Sequence, residues 1–136
     1  MSTTHKGSCL CGNVSFKILG EAIRFRHCHC QRCRKSTGVG HASNLLVKAE
    51  GIDWISGEDN RGAYKVPESQ HFTRHFCTTC GSPLPSEVSS MGSVLIPAGL
   101  LDTDPVMQPQ SRIFQGSRAS WSCYGDGLPC FDEYPD

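Results

Sequence analysis

His27-Cys28-His29-Cys30-Gln31-Arg32-Cys33-Arg34-Lys35 is the stretch around which the chain is organised, with three cysteines inside six positions and two basic residues directly after them. The loops between the thiols are one and two residues long, so they can converge on one ion with little chain entropy left to lose, and zinc is the expected occupant. Three thiolates leave a tetrahedron open. The fourth ligand must come from His27, His29, a distant residue, water or a substrate, and that choice separates a structural site from a catalytic one.

The rest of the cysteine pattern agrees with metal. Nine cysteines fall at Cys9 and Cys11, at Cys28, Cys30 and Cys33, at Cys77 and Cys80, and singly at Cys123 and Cys130. Three ligand-spaced clusters in one small chain favour metal over a disulfide framework, and the odd total fits two zincs better than disulfides alone. Cys77-Thr78-Thr79-Cys80-Gly81 is a turn whose amides can point at the sulfurs and whose glycine tolerates the left-handed conformation. Spacing alone does not allocate the pairs. Cys30 and Cys33 could join Cys77 and Cys80 as readily as Cys9 and Cys11 could.

Length and charge bound the function. A chain of 136 residues is expected to form one domain, residues 1–136, with a core of its own. Lys plus Arg and Asp plus Glu both number 13, so no net charge draws the protein to nucleic acid or an anionic membrane, and a small-molecule partner is the better expectation. No run of about 18 apolar residues offers a membrane span. The first residues, Met-Ser-Thr-Thr-His-Lys-Gly-Ser-Cys, lack the apolar core of a secretory signal, which points to the cytoplasm.

The hydropathy pattern predicts an all-β domain without repeats or a linker. Val14, Phe16 and Ile18 alternate along 12–19, and Ile23, Phe25 and His27 continue the period of two into the first metal cluster, with a turn expected at Gly20-Glu21. Further strands are predicted over 41–47, 52–56, 62–66, 71–76, 93–97 and 111–114. Turn-forming residues separate them at 56–60, 66–69 and 81–85, and no stretch carries a helical period.

Three stretches, Gly7-Ser8-Cys9-Leu10-Cys11-Gly12-Asn13-Val14-Ser15-Phe16, Cys28-His29-Cys30-Gln31-Arg32-Cys33-Arg34-Lys35 and Phe76-Cys77-Thr78-Thr79-Cys80-Gly81-Ser82, resemble the glutathione-dependent formaldehyde-activating enzyme family, which includes the centromere protein V domain. The similarity continues in Pro97-Ala98-Gly99-Leu100-Leu101-Asp102 and Ala119-Ser120-Trp121. It implies a β-tent, Mss4-like fold with two zincs, the structural one on Cys9, Cys11, Cys77 and Cys80 and the open, catalytic one on Cys28, Cys30 and Cys33. Cys123 and Cys130 fall outside the family's shared ligands.

The implied activity is that of a carbon–sulfur lyase, the S-(hydroxymethyl)glutathione synthase reaction, with glutathione and formaldehyde or a related aldehyde as partners. The chemistry fits the ligands. Three thiolates outweigh the dication, which makes the centre a poor activator of water but a suitable place to deprotonate a soft thiol. Arg34, Lys35 and Trp121 are the candidate substrate-binding residues, the two cations to offset the added thiolate and the indole as a pocket wall. Their plainer alternatives are a solvated turn and ordinary core. His27 and His29 read as residues behind the ligands rather than ligands, and His41, His71 and His75 as surface or core. Two other readings stay open: a scaffold domain with both zincs structural, and an enzyme acting on a larger glutathione adduct.

Overall fold

A computed structural model of the chain describes residues 2–122 and 127–135. Nine strands and one short helix are present among them: β1 (Thr3–Ser8), β2 (Ser15–Cys28), α1 (Gln31–Thr37), β3 (Ala42–Lys48), β4 (Asp53–Ser56), β5 (Arg61–Lys65), β6 (Thr73–Cys77), β7 (Ser86–Val88), β8 (Ser93–Pro97) and β9 (Ser111–Ile113). Seven strands form one sheet in the order β1-β2-β3-β8-β7, with β4 and β9 also pairing β2, and β5 and β6 form a separate ribbon. The fold is all-β, a curled and almost wholly antiparallel sheet, in keeping with the β-tent, Mss4-like fold that the family resemblance implied. No helix among the described residues is long and apolar enough to cross a membrane.

The long strand β2 replaces the two strands and turn expected on either side of Gly20-Glu21. Its first half pairs β1 and β4, its second half pairs β3 and, in parallel, β9. The ladder to β3 skips one residue between Ala22 and Arg24, which leaves Ile23 as the extra residue of a bulge. Side chains alternate faces along a strand, so one inserted residue moves the buried set from even to odd positions. Phe16 and Ile18 are buried before the bulge and Phe25 after it. Gly20 is needed for contact rather than for turning: a Cβ there would sit 2.0 Å from the Lys48 carbonyl oxygen.

The other predicted strands lie within one or two residues of the observed ones, whereas β1 and β7 carried no readable signal. The main core joins Phe16, Ile18 and Phe25 of β2 to Leu45 and Val47 of β3, Val94 and Ile96 of β8, and Leu100. A smaller cluster gathers Cys9, Val14, Cys77 and Leu84. The result is that β2 begins just after the Cys9–Cys11 turn and ends on Cys28.

The helix α1 was not foreseen, because seven residues give two turns and too little length for a period to show. It forms from its ends. The Cys30 sulfur accepts the Cys33 amide at 3.3 Å as an N-cap, and Gly38 closes the C-terminus in the left-handed region at φ 74°, its amide bonded to the Arg34 carbonyl at 2.8 Å. Arg34 and Lys35 lie in the last turn, where cations suit the helix dipole.

Candidate metal centres and the groove beside them

The two thiol clusters separate cleanly. Cys9, Cys11, Cys77 and Cys80 form one group and Cys28, Cys30 and Cys33 another, the sulfurs of each lying within 4.8 Å of one another. Spacing left the pairing open; in the structure Cys77 and Cys80 lie with Cys9 and Cys11 and not with Cys30 and Cys33. Every cysteine among the described residues is a free thiol.

In the four-thiol cluster the Cys9 and Cys11 sulfurs are 3.6 Å apart and those of Cys11 and Cys77 are 3.8 Å apart. Four sulfurs around zinc at its usual bond length would be about 3.8 Å apart along each tetrahedral edge, so the cluster fits that ion. Backbone and side chains then support the sulfurs. Val14 donates its amide to Cys9 at 3.3 Å, and Asn60 Nδ2 donates to Cys77 at 3.5 Å. The Ser82 hydroxyl lies 3.3 Å from Cys80 and accepts the Leu10 amide at 3.0 Å, which ties the two halves of the site together. Gly12 and Gly81 both adopt left-handed backbone, at φ 80° and 78°, and end the two turns.

Charge favours a cation here. The hydroxyl and amide of Ser82 hold the Cys80 thiol down at about 5. Cys11 is pushed up to about 12: the Asn13 amide pulls the other way, but burial and the bonds to Cys9, Cys80 and Cys77 outweigh it. Thiols this close cannot all ionise by themselves, and a dication removes the repulsion.

The three-thiol cluster is built at the junction of β2 and α1. Cys28 ends the strand, Cys30 caps the helix and Cys33 sits one turn in, which is how a Cys-x-Cys-x-x-Cys spacing brings three sulfurs to one point. Cys28 and Cys33 are buried and Cys30 is half-exposed. Burial lifts Cys33, and the neighbouring thiols of Cys30 and Cys28 lift it further. Cys30 is held below the usual thiol range: burial opposes this, but the Cys33 amide and the Cys33 and Cys28 thiols prevail. No fourth His, Cys, Asp or Glu joins the cluster among the described residues. Cys130 is exposed and donates to the Leu128 carbonyl at 3.5 Å, while Cys123 lies outside the described residues.

Around this cluster the histidines form a group. His29 is fully buried with its amide on the Ile113 carbonyl at 3.0 Å. The ring of His41 lies 5.0 Å from that of His29 and 4.1 Å from that of His27. The Ser43 hydroxyl bridges His27 Nδ1 at 3.0 Å and His41 Nδ1 at 3.3 Å. Burial, first of all, keeps both His27 and His41 below the usual imidazole range.

Beside the cluster runs a groove of about 1050 Å³ that reaches from Cys33, His41 and Ser43 to Arg74 and His75 of β6 and to Leu100. A smaller pocket of about 210 Å³ carries Arg24, Arg26 and Cys28 and shares Asn44, Val88 and Leu95 with the groove. His41, His71 and His75, expected as surface or core, all line the groove. Arg34 points its Nη1 to the Ser117 carbonyl at 3.1 Å, Lys35 is exposed, and Trp121 is 67% exposed and leans on Gly40 rather than filling core. None of these three lines the groove, whereas Arg74 does, and nothing in the spacing of the sequence marks Arg74 out.

The architecture and the two clusters define a class, an all-β domain built on one four-thiol and one three-thiol centre, each able to hold a metal ion. The chain belongs to the glutathione-dependent formaldehyde-activating enzyme family, whose model matches residues 4–117. No curated protein sequence matches it significantly. Among solved structures, the crystal structure of a Rhodobacter sphaeroides protein is similar in fold, with a TM-score of 0.57 at 21% identity over 79% of this chain and 98% of that one.

Proposed function

We propose that the protein is a zinc-dependent carbon–sulfur lyase that joins glutathione to formaldehyde, or to a related aldehyde, and cleaves the adduct in reverse. Cys28, Cys30 and Cys33 would hold the catalytic ion, and Cys9, Cys11, Cys77 and Cys80 a structural one. A zinc ion among three thiolates supplies, when bound, a soft open position that lowers the pKa of an incoming thiol. The observation that carries the reading is a three-thiol cluster, with no fourth protein ligand among the described residues, whose Cys33 opens onto a substrate-sized groove.

The residues of the chain then have definite tasks. The helix cap fixes Cys30 and the strand end fixes Cys28, so the thiols are placed before substrate arrives. The glutathione sulfur forms a bond to the carbonyl carbon while the carbonyl π bond breaks, and the thiol proton ends on the aldehyde oxygen to give a hemithioacetal. His41 and Ser43, which line the groove together with Cys33, would supply the hydrogen bond to that oxygen. Arg34 and Lys35 put two cations on the helix that carries Cys33, and Trp121 flanks Gly40 next to His41.

The test is a titration of glutathione into protein whose zinc is replaced by cobalt. A shift in the thiolate-to-cobalt charge-transfer band is expected, and a spectrum indifferent to millimolar glutathione would sink the proposal. A larger glutathione adduct as substrate is favoured by the groove's volume, which lies at the upper end for small-molecule sites and far exceeds the needs of formaldehyde. Comparison of adducts of increasing size in the lyase direction separates the two.

A further inference from the structure

Arg74 is the groove-lining residue whose surroundings leave most to explain. It stands on β6 opposite Tyr64, half-buried, and lines the same groove as Cys33. Its guanidinium donates to the Gly81 carbonyl at 3.5 Å, a distance at the limit of a hydrogen bond. It forms no ion pair among the described residues, whereas Lys17 is paired with Asp53 and Arg61 with Glu58. Glu87 lines the groove as well and makes no bridge to it. Burial pulls the guanidinium down with no carboxylate to oppose it. A guanidinium carries five donors in a flat fork matched to a carboxylate, and withdrawing it from water without a partner is unfavourable.

We infer that Arg74 is a substrate-binding residue that takes a carboxylate of the incoming thiol while the sulfur lies at the Cys33 end of the groove. This rests on the reading of the groove as a thiol site and adds to it the residue that recognises a carboxylate, a group that both ends of glutathione carry. The cations expected from the sequence, Arg34 and Lys35, sit on the helix, so the carboxylate and the sulfur are held by different parts of the fold. His71 and His75 share the wall with Arg74 and add donors of their own.

The experiment measures dissociation constants of glutathione and of its diethyl ester for the cobalt-loaded, full-length protein. Wild type is expected to favour glutathione by roughly 10- to 100-fold, the range for a charge-assisted bidentate contact. In Arg74→Met the ratio should fall to about one. Arg74→Gln is the companion variant, since it removes the charge but keeps a donor for the Gly81 carbonyl, and two bound metals per chain show that either variant is folded. Equal binding of acid and ester by wild type overturns the inference, as does full discrimination retained in either variant. Failure of wild type to bind glutathione at all strikes the functional reading instead.

Discussion

Replacing Cys77 with serine should remove one metal and most of the fold's stability. Cys77 is fully buried, ends β6, and has the Cys11 sulfur 3.8 Å away across a separation of 66 residues. Treated as a cross-link, closure of a 66-residue loop is worth about 4 kcal/mol in the unfolded chain's entropy. For a chain of this size that corresponds to a melting temperature lower by roughly 12 °C or more. The whole ion contributes more, since apparent binding energies of about 10–16 kcal/mol for structural zinc rival the total stability of a domain. Cys30→Ser is the matching control, because serine keeps the N-cap that the Cys33 amide needs while removing a thiolate. Metal content by elemental analysis and thermal melting by circular dichroism decide the matter. Cys30→Ser should hold one zinc and melt within a few degrees of wild type, whereas Cys77→Ser should lose the ordered fold. A Cys77→Ser protein that kept two zincs and the wild-type melting temperature would refute the assignment of the four-thiol cluster as the structural centre.

Two further substitutions probe the supports. Ser82→Ala takes away the acceptor of the Leu10 amide and the hydroxyl beside Cys80, so zinc affinity of the four-thiol site, read by competition with a chromophoric chelator in the Cys30→Ser background, should fall about 10-fold or more. Unchanged affinity would show that the two turns are held by the metal alone. Gly20→Ala places a methyl group 2.0 Å from the Lys48 carbonyl and should cost about 1–3 kcal/mol in a denaturant melt. A neutral result there would speak for the turn at Gly20-Glu21 over a continuous β2.

Much of the site was legible because it is local. Cys28, Cys30 and Cys33 meet across loops of one and two residues, and Cys9 with Cys11 and Cys77 with Cys80 are close for the same reason. What spacing left undecided was which pairs share an ion, because that depends on where a segment near residue 10 and one near residue 80 are carried by the sheet. The strand pattern was likewise readable wherever one face is buried, as in 93–97. It failed at Gly20, where a glycine that serves a close backbone approach looks the same in sequence as one that turns, and at α1, whose caps matter more than its period. That His41, His71 and His75 share one groove was not readable for a related reason, since the period of a strand says which face a ring occupies but not whether that face borders a groove.

The sequence by itself therefore determined a β-rich chain with three thiol clusters and, through its motifs, a family. Tertiary structure decided how seven thiols divide into four and three, that His41 and Ser43 stand beside the smaller group, and that Arg74 lines the groove with no ion pair among the described residues. The physical reason is the range of the interactions. A thiol two or three residues from another is constrained by covalent geometry, but Cys33 and Arg74 are neighbours of one cavity only because α1 and β6 are brought to it by sheets whose pairing no local pattern encodes.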